Sequence, residues 1–285
     1  MIEDFLASWE LFRYAYLVGW LIAFLLSVTG VIVVARNQIF IGAAVSQAST
    51  LGIALALWLG GVFADHGPSW ATGATFLPFM AVLFSIMGAL ITAGGGETGR
   101  ESREAVTGWV FLFCSSVSIL IVARSPHGIE EIHKILSSSI IGAARSDFIF
   151  FLPAAATAVV LIAAFHRKFL LLIMDPAMAA AVGMKTRLWE AAFSLWLGLM
   201  VGLSIRSAGM LYTFGCLVLP SLTAKNLCRE VRSMFLVSAV IGVVTGMAGF
   251  IIANHFDYPP GQMTVALMCL AVAVSWLVRM VRGRA

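Results

Sequence analysis

Apolar runs of roughly 20 residues, each closed by a short polar or turn-forming break, recur along almost the whole chain. A helix needs about 20 predominantly apolar residues to cross the hydrocarbon layer of a bilayer. The runs therefore predict membrane-spanning helices at 14–35, 39–63, 75–93, 106–123, 148–165, 188–205, 208–225, 234–254 and 263–280. The breaks carry turn and charge signals: Asp65-His66-Gly67-Pro68, Gly94 to Glu104, Arg124 to Asp147, His166 to Arg187, and Asp257-Tyr258-Pro259-Pro260-Gly261. Trp70 and Trp109 fall near span ends, where aromatic rings favour the interface. The segment 208–225 contains Gly209, Gly215 and Pro220, and reads as a short or broken helix. Such a helix is tolerable only against protein or a watery path. The pattern predicts an all-α, polytopic transmembrane helical bundle of eight to nine spans, forming a single transmembrane domain over residues 1–285.

Composition supports the same reading. Of 285 residues, 61% are hydrophobic and 11% charged, against about 25% charged in a soluble domain. So few charges cannot cover a water-facing surface, and the apolar excess must face lipid. The start, Met1-Ile2-Glu3-Asp4, is acidic and lacks the positive region of a cleaved signal peptide, so the first run is expected to remain as a span. Cys114, Cys216, Cys228 and Cys269 are scattered without a CxxC, which supports neither a disulfide framework nor a zinc cluster.

Placement of the basic residues matters more than the net charge of +4. With the N-terminus outside and nine alternating spans, thirteen Lys and Arg fall inside and Arg13, Arg124, Lys134, Arg145 and Arg206 fall outside. The positive-inside rule thus favours an odd number of spans with the C-terminus in the cytoplasm. The basic residues form no patch, which gives nucleic acid no footprint. No polar segment is long enough for a nucleotide-binding fold, and no GxxxxGK[ST] occurs, so ATP chemistry would have to come from another chain.

The most informative polar stretch runs from Met174 through Asp175-Pro176-Ala177-Met178-Ala179-Ala180-Ala181-Val182-Gly183-Met184. Asp175 is a good N-cap, Pro176 suits the first turn, alanines favour helix, and Gly183 can end it. A short helix with a mostly small surface is expected there, on the inner face. Downstream come Ala208-Gly209-Met210-Leu211 and then Leu217-Val218-Leu219-Pro220-Ser221-Leu222-Thr223-Ala224.

This order resembles the permease subunits of bacterial zinc, manganese and iron ABC importers, the ABC-3 family. The matching positions are Asp175, Pro176, Ala179 and Gly183, then Ala208, Gly209 and Leu211, then Leu217, Pro220 and Ala224, with Gly242, Gly246, Gly249 and Pro260-Gly261 in the closing spans. The resemblance is densest from about 166 to 281. It implies a type II importer in the bacterial inner membrane: two permease subunits (identical or paralogous), two cytoplasmic ATPases and an extracytoplasmic substrate-binding protein. It also implies that Asp175, Pro176, Ala179, Ala180, Gly183 and Met184 couple to the ATPase. This chain is then a transport subunit, not an enzyme, binding no cofactor itself while its partner uses ATP.

The second span departs from the family pattern. Where metal permeases read Gly-Asp-x-x-x-His-Ala, placing a carboxylate and an imidazole on one helical face, this chain has Gly42-Ala43-Ala44-Val45-Ser46-Gln47-Ala48. Neither Ala43 nor Gln47 is a good ligand for a transition metal. Three readings stay open: a second, different permease keeps the ligands; the path needs few ligands; or the cargo is not a transition metal. Ser46, Gln47, Ser49, Thr50 and Pro220 are candidates for lining the path, the polar stripe equally suiting hydrogen bonds between helices. His127, His133, Glu130, Glu131 and Asp147 fall in the outer segment, as a solvated helix or a metal funnel. His166 lies beside Arg167 and Lys168, where a cation is repelled.

Two other classes are distinguishable. A secondary transporter or channel would show internal repeats and mid-membrane ionisable groups, which are nearly absent. An intramembrane enzyme needs a nucleophile with a base, and Ser115, Ser116 and Ser118 have none in reach along the sequence.

Overall fold

In a computed structural model of the chain, residues 2–62, 75–95, 102–123 and 140–282 are described. They form ten α-helices and one 3₁₀ turn, Ile140–Gly142, and no strand. The helices are α1 Ile2–Ala35, α2 Ile41–Val62, α3 Phe76–Gly94, α4 Arg103–Val122, α5 Arg145–Met174, α6 Pro176–Ala181, α7 Thr186–Ala208, α8 Met210–Leu227, α9 Val231–Phe256 and α10 Pro260–Arg282. Among the described residues eight are long and apolar enough to cross a membrane: all but α6 and α8. Trp70, His66, His127, Glu130, Glu131 and His133 lie outside the described residues.

The chain divides into two compact units, one of Met1–Gln38, Ser139–Thr186 and Ser207–Ala285, the other of Ile39–Ser138 and Arg187–Arg206. In the first, α8 explains why eight spans and nine were both readable. Its Tyr212, Thr213, Ser221 and Thr223 are too polar for lipid, yet all are buried. It packs along α1, with Tyr212 Oη donating to the Gly19 carbonyl at 2.9 Å and Lys225 Nζ reaching Asn37 Oδ1 at 2.7 Å near the other end.

The segment read as a short or broken helix is a continuous one of 18 residues, Met210–Leu227, with Pro220 inside it. Proline removes the N–H that would bond the carbonyl four residues back, at Cys216. Ser27 Oγ of α1 donates to that carbonyl at 3.4 Å, so a neighbouring helix takes over the bond. Ser221 Oγ and Ser238 Oγ both donate to the Ser27 carbonyl, at 2.9 and 2.8 Å, joining α1, α8 and α9. Small residues permit this approach: Gly30 faces the Leu217 carbonyl and Gly242 faces Ser27 Oγ. Other boundaries shift as well. The first helix begins at Ile2, not 14. The fifth, expected to stop at 165, kinks at Phe165 (φ −113°, ψ 17°) and resumes to Met174. Gly209, at φ +80°, separates α7 from α8. Asp147, at the start of α5, spends Oδ2 on the Ala144 N–H at 2.9 Å.

In the second unit, Ala44, Ala48 and Leu51 of α2 pack with Val110 and Cys114 of α4. Gly198 sits on the backbone of Ile86, and Ser85 Oγ donates to the Gly198 carbonyl at 2.7 Å. None of the four cysteines is in a disulfide; Cys114 and Cys216 are buried, while Cys269 is exposed.

Candidate functional site

The stretch after α5 has the geometry that its residue types demand. Asp175 serves two helices at once: its N–H donates to the Leu171 carbonyl at 3.0 Å, closing α5, while its Oδ1 accepts from the Met178 N–H at 2.9 Å, opening α6. Pro176 occupies the first turn, where no N–H is needed. At the far end Gly183 is left-handed at φ +81°. The Met184 N–H bonds the Ala179 carbonyl and the Gly183 N–H the Ala180 carbonyl, both at 3.0 Å, which is a Schellman close. Met184 accepts from the Thr186 N–H at 2.8 Å, and α7 begins at once. Hydrogen bonds thus link α5 to α6 at Asp175, and the close of α6 to the first residue of α7 at Met184.

Ala179 is 0% exposed and anchors α6 rather than presenting itself to a partner. Asp175, Pro176, Ala180 and Gly183 are exposed and Met184 half-buried. The surface is less uniformly small than expected, because Met178 and Val182, four residues apart, are 52% and 59% exposed. Residues four apart share a helix face. Replacing Asp175 by alanine removes a cap worth about 1 kcal/mol. Hydrogen exchange should show faster opening at the Met178 amide with the rest of the chain unchanged, and unchanged exchange there would mean that the cap carries no weight.

Two of the four polar residues in the α2 stripe are occupied with their own helix. Ser46 Oγ donates to the Gly42 carbonyl at 2.8 Å and Thr50 Oγ1 to the Ser46 carbonyl at 3.1 Å. Ser49 is buried and its Oγ has no hydrogen-bond partner among the described residues. Gln47 is half-buried, one turn beyond the buried Ala43. Pro220, the fifth path candidate, is buried within the first unit on a different helix. Ser46, Gln47, Ser49 and Thr50 lie on one stretch of α2, in the second unit, whereas Pro220 belongs to the first. Among the described residues no three His, Cys, Asp or Glu side chains converge.

One polar contact was missed from the sequence. Arg103 Nη2 lies 2.7 Å from Glu190 Oε2, joining the first residue of α4 to the second turn of α7. The two are 87 positions apart, so no local spacing could reveal the pair.

Residues 8–279 match the model of the ABC 3 transport family. The chain is similar to a manganese transport system membrane protein, MntC, of Halalkalibacterium halodurans, at 22% identity over 96% of this chain and 89% of that one. It is also similar to a probable iron transport system membrane protein of Haemophilus influenzae, at 25% identity over 83% of this chain and 79% of that one. Its fold matches a chain of PsaBC from Streptococcus pneumoniae, solved in complex with Fab, with a TM-score of 0.78 at 19% identity, covering 97% of this chain and 95% of that one.

Proposed function

We propose that this chain, which belongs to the ABC 3 transport family, moves divalent metal ions (manganese, iron or zinc) into the cytoplasm as the membrane-spanning permease of an ATP-driven importer. The observation that carries the coupling half of this reading is α6, a short helix capped at both ends, hydrogen-bonded at its ends to two long apolar helices, with an exposed apolar pair at Met178 and Val182. A separate cytoplasmic ATPase docks there, contacting Met178, Ala180 and Val182, with Asp175, Pro176, Gly183 and Met184 holding their backbone in place.

ATP binding biases the permease only if the ATPase contacts differ between its states. Caps at both ends resist fraying of α6, so a displacement at Met178 reaches α5 through Asp175 and α7 through Thr186. This chain binds no cofactor, and hydrolysis belongs to the partner. An extracytoplasmic binding protein delivers cargo, and a second permease, the same chain or a paralogue, completes the pathway. The protein lies in the bacterial inner membrane with its N-terminus outside and its C-terminus in the cytoplasm, the arrangement that the Lys and Arg asymmetry favours.

Support for the metal comes from the relatives' own substrates; Ala43 and Gln47 leave α2 without strong ligands. The test is uptake by proteoliposomes holding the permease, its ATPase and its binding protein. ATP-dependent accumulation of manganese, iron or zinc, read by elemental analysis, is the expected result. An organic solute on the purified binding protein, with no metal taken up, would overturn the cargo.

A further inference from the structure

We propose that Glu190 and Arg103 form the strut that hands the movement of α6 on to α4, making both positioning residues for transport. The proposal rests on α6 being the ATPase contact.

The geometry is direct. Glu190 stands four residues after Thr186, where α7 begins, and α7 follows α6 with its first amide already bonded to Met184. Its carboxylate is 8% exposed, and Oε2 is 2.7 Å from Nη2 of Arg103, whose side chain is 30% exposed. The contact is short and charge-assisted, and such bonds are strongly directional. On the α4 side the first turn is locally fixed. Ser102 Oγ accepts from the Ala105 N–H at 3.1 Å, and Thr107 Oγ1 donates to the Arg103 carbonyl at 2.7 Å. A push on Arg103 therefore moves the start of α4 without loosening it.

Neither charge is explained by stability. A cation on the first residue of a helix opposes the macrodipole, so Arg103 gains nothing from α4 itself. A carboxylate as buried as Glu190 is costly unless paired. A buried ion pair is commonly matched or bettered by well-packed apolar residues, whereas a directional pair fixes how two helices are set against each other. A pair that keeps α4 and α7 in register passes on to α4 the movement that α7 receives from α6.

The experiment uses the complete transporter, reconstituted with its ATPase and binding protein, and reads three quantities: ATPase retained on purification, ATP hydrolysed, and metal moved per ATP. Glu190→Gln and Arg103→Gln are each expected to retain the ATPase and to hydrolyse ATP within about twofold of the unaltered transporter, while metal per ATP falls at least about tenfold. Exchanging the charges, Arg103→Glu with Glu190→Arg, should recover most of that ratio. If a single change prevents folding, the apolar double variant Arg103→Met with Glu190→Leu removes both charges and should fold, still with a low ratio. An unchanged ratio in that double variant, or in either single one, would overturn the strut, as would a folded charge exchange that recovers nothing. An unaltered chain that fails to retain any ATPase would instead remove the docking reading on which the strut stands.

Discussion

Gly30→Ala is expected to destabilise the chain more than any other single methyl added to a helix of the first unit. The new Cβ would overlap the carbonyl oxygen of Leu217 and come within 2.8 Å of Ser221 Oγ. The clash is with backbone, so no rotamer change relieves it, and α1 and α8 must separate. Separation strains the bonds that Ser27 makes to Cys216 and receives from Ser221 and Ser238. Overpacking of this kind costs about 1–3 kcal/mol, here with buried hydrogen bonds lost in addition. Thermal unfolding in detergent checks it. The control is Gly246→Ala, where the nearest atom to a Cβ is Trp20 at 3.6 Å; alanine there is expected to be neutral or to stabilise, because glycine costs a helix interior about 1 kcal/mol relative to alanine. Equal melting of the two variants would show that α1 and α8 do not meet as described.

The second large effect is on assembly. Met178→Asp is expected to leave folding intact, because the side chain is more than half exposed, and to weaken ATPase binding at least about 30-fold, the equivalent of losing a hot spot of about 2 kcal/mol. A carboxylate forced into a closing apolar contact must be desolvated without a partner. Titration of detergent-solubilised permease with the ATPase measures it. Binding as tight as that of the unaltered chain would remove α6 from the interface. Ala179 is no substitute for this test, since its side chain is covered and a change there perturbs α6 itself.

Several local structural features were legible in the residues because their physics is local. Asp175, Pro176 and Gly183 announce a capped helix from side-chain chemistry and backbone freedom alone, and the structure realises both caps at those positions. The polar stripe of α2 was visible, but its use was not. Ser and Thr hydroxyls in a helix reach the carbonyl one turn back, and that option satisfied Ser46 and Thr50. Pro220 left the continuity of its own helix open. Proline in an apolar run signals a break in isolation, but a serine 193 positions upstream accepts the consequence. The Arg103–Glu190 contact carries no local signal whatever.

The sequence by itself determined the solvent of this protein. With 11% charged residues and apolar runs of membrane length, only a helical bundle in lipid satisfies both side chains and backbone. It also determined the short capped helix on the loop after α5. Only the tertiary structure decided that α8, polar enough to be doubtful in lipid, is tenable, because α1, α9 and α10 cover it. Local chemistry acts over one helical turn and is written in adjacent residues, whereas burial and long-range pairing depend on which helices meet, and folding brings residues such as Ser27 and Ser221, or Arg103 and Glu190, within bonding distance.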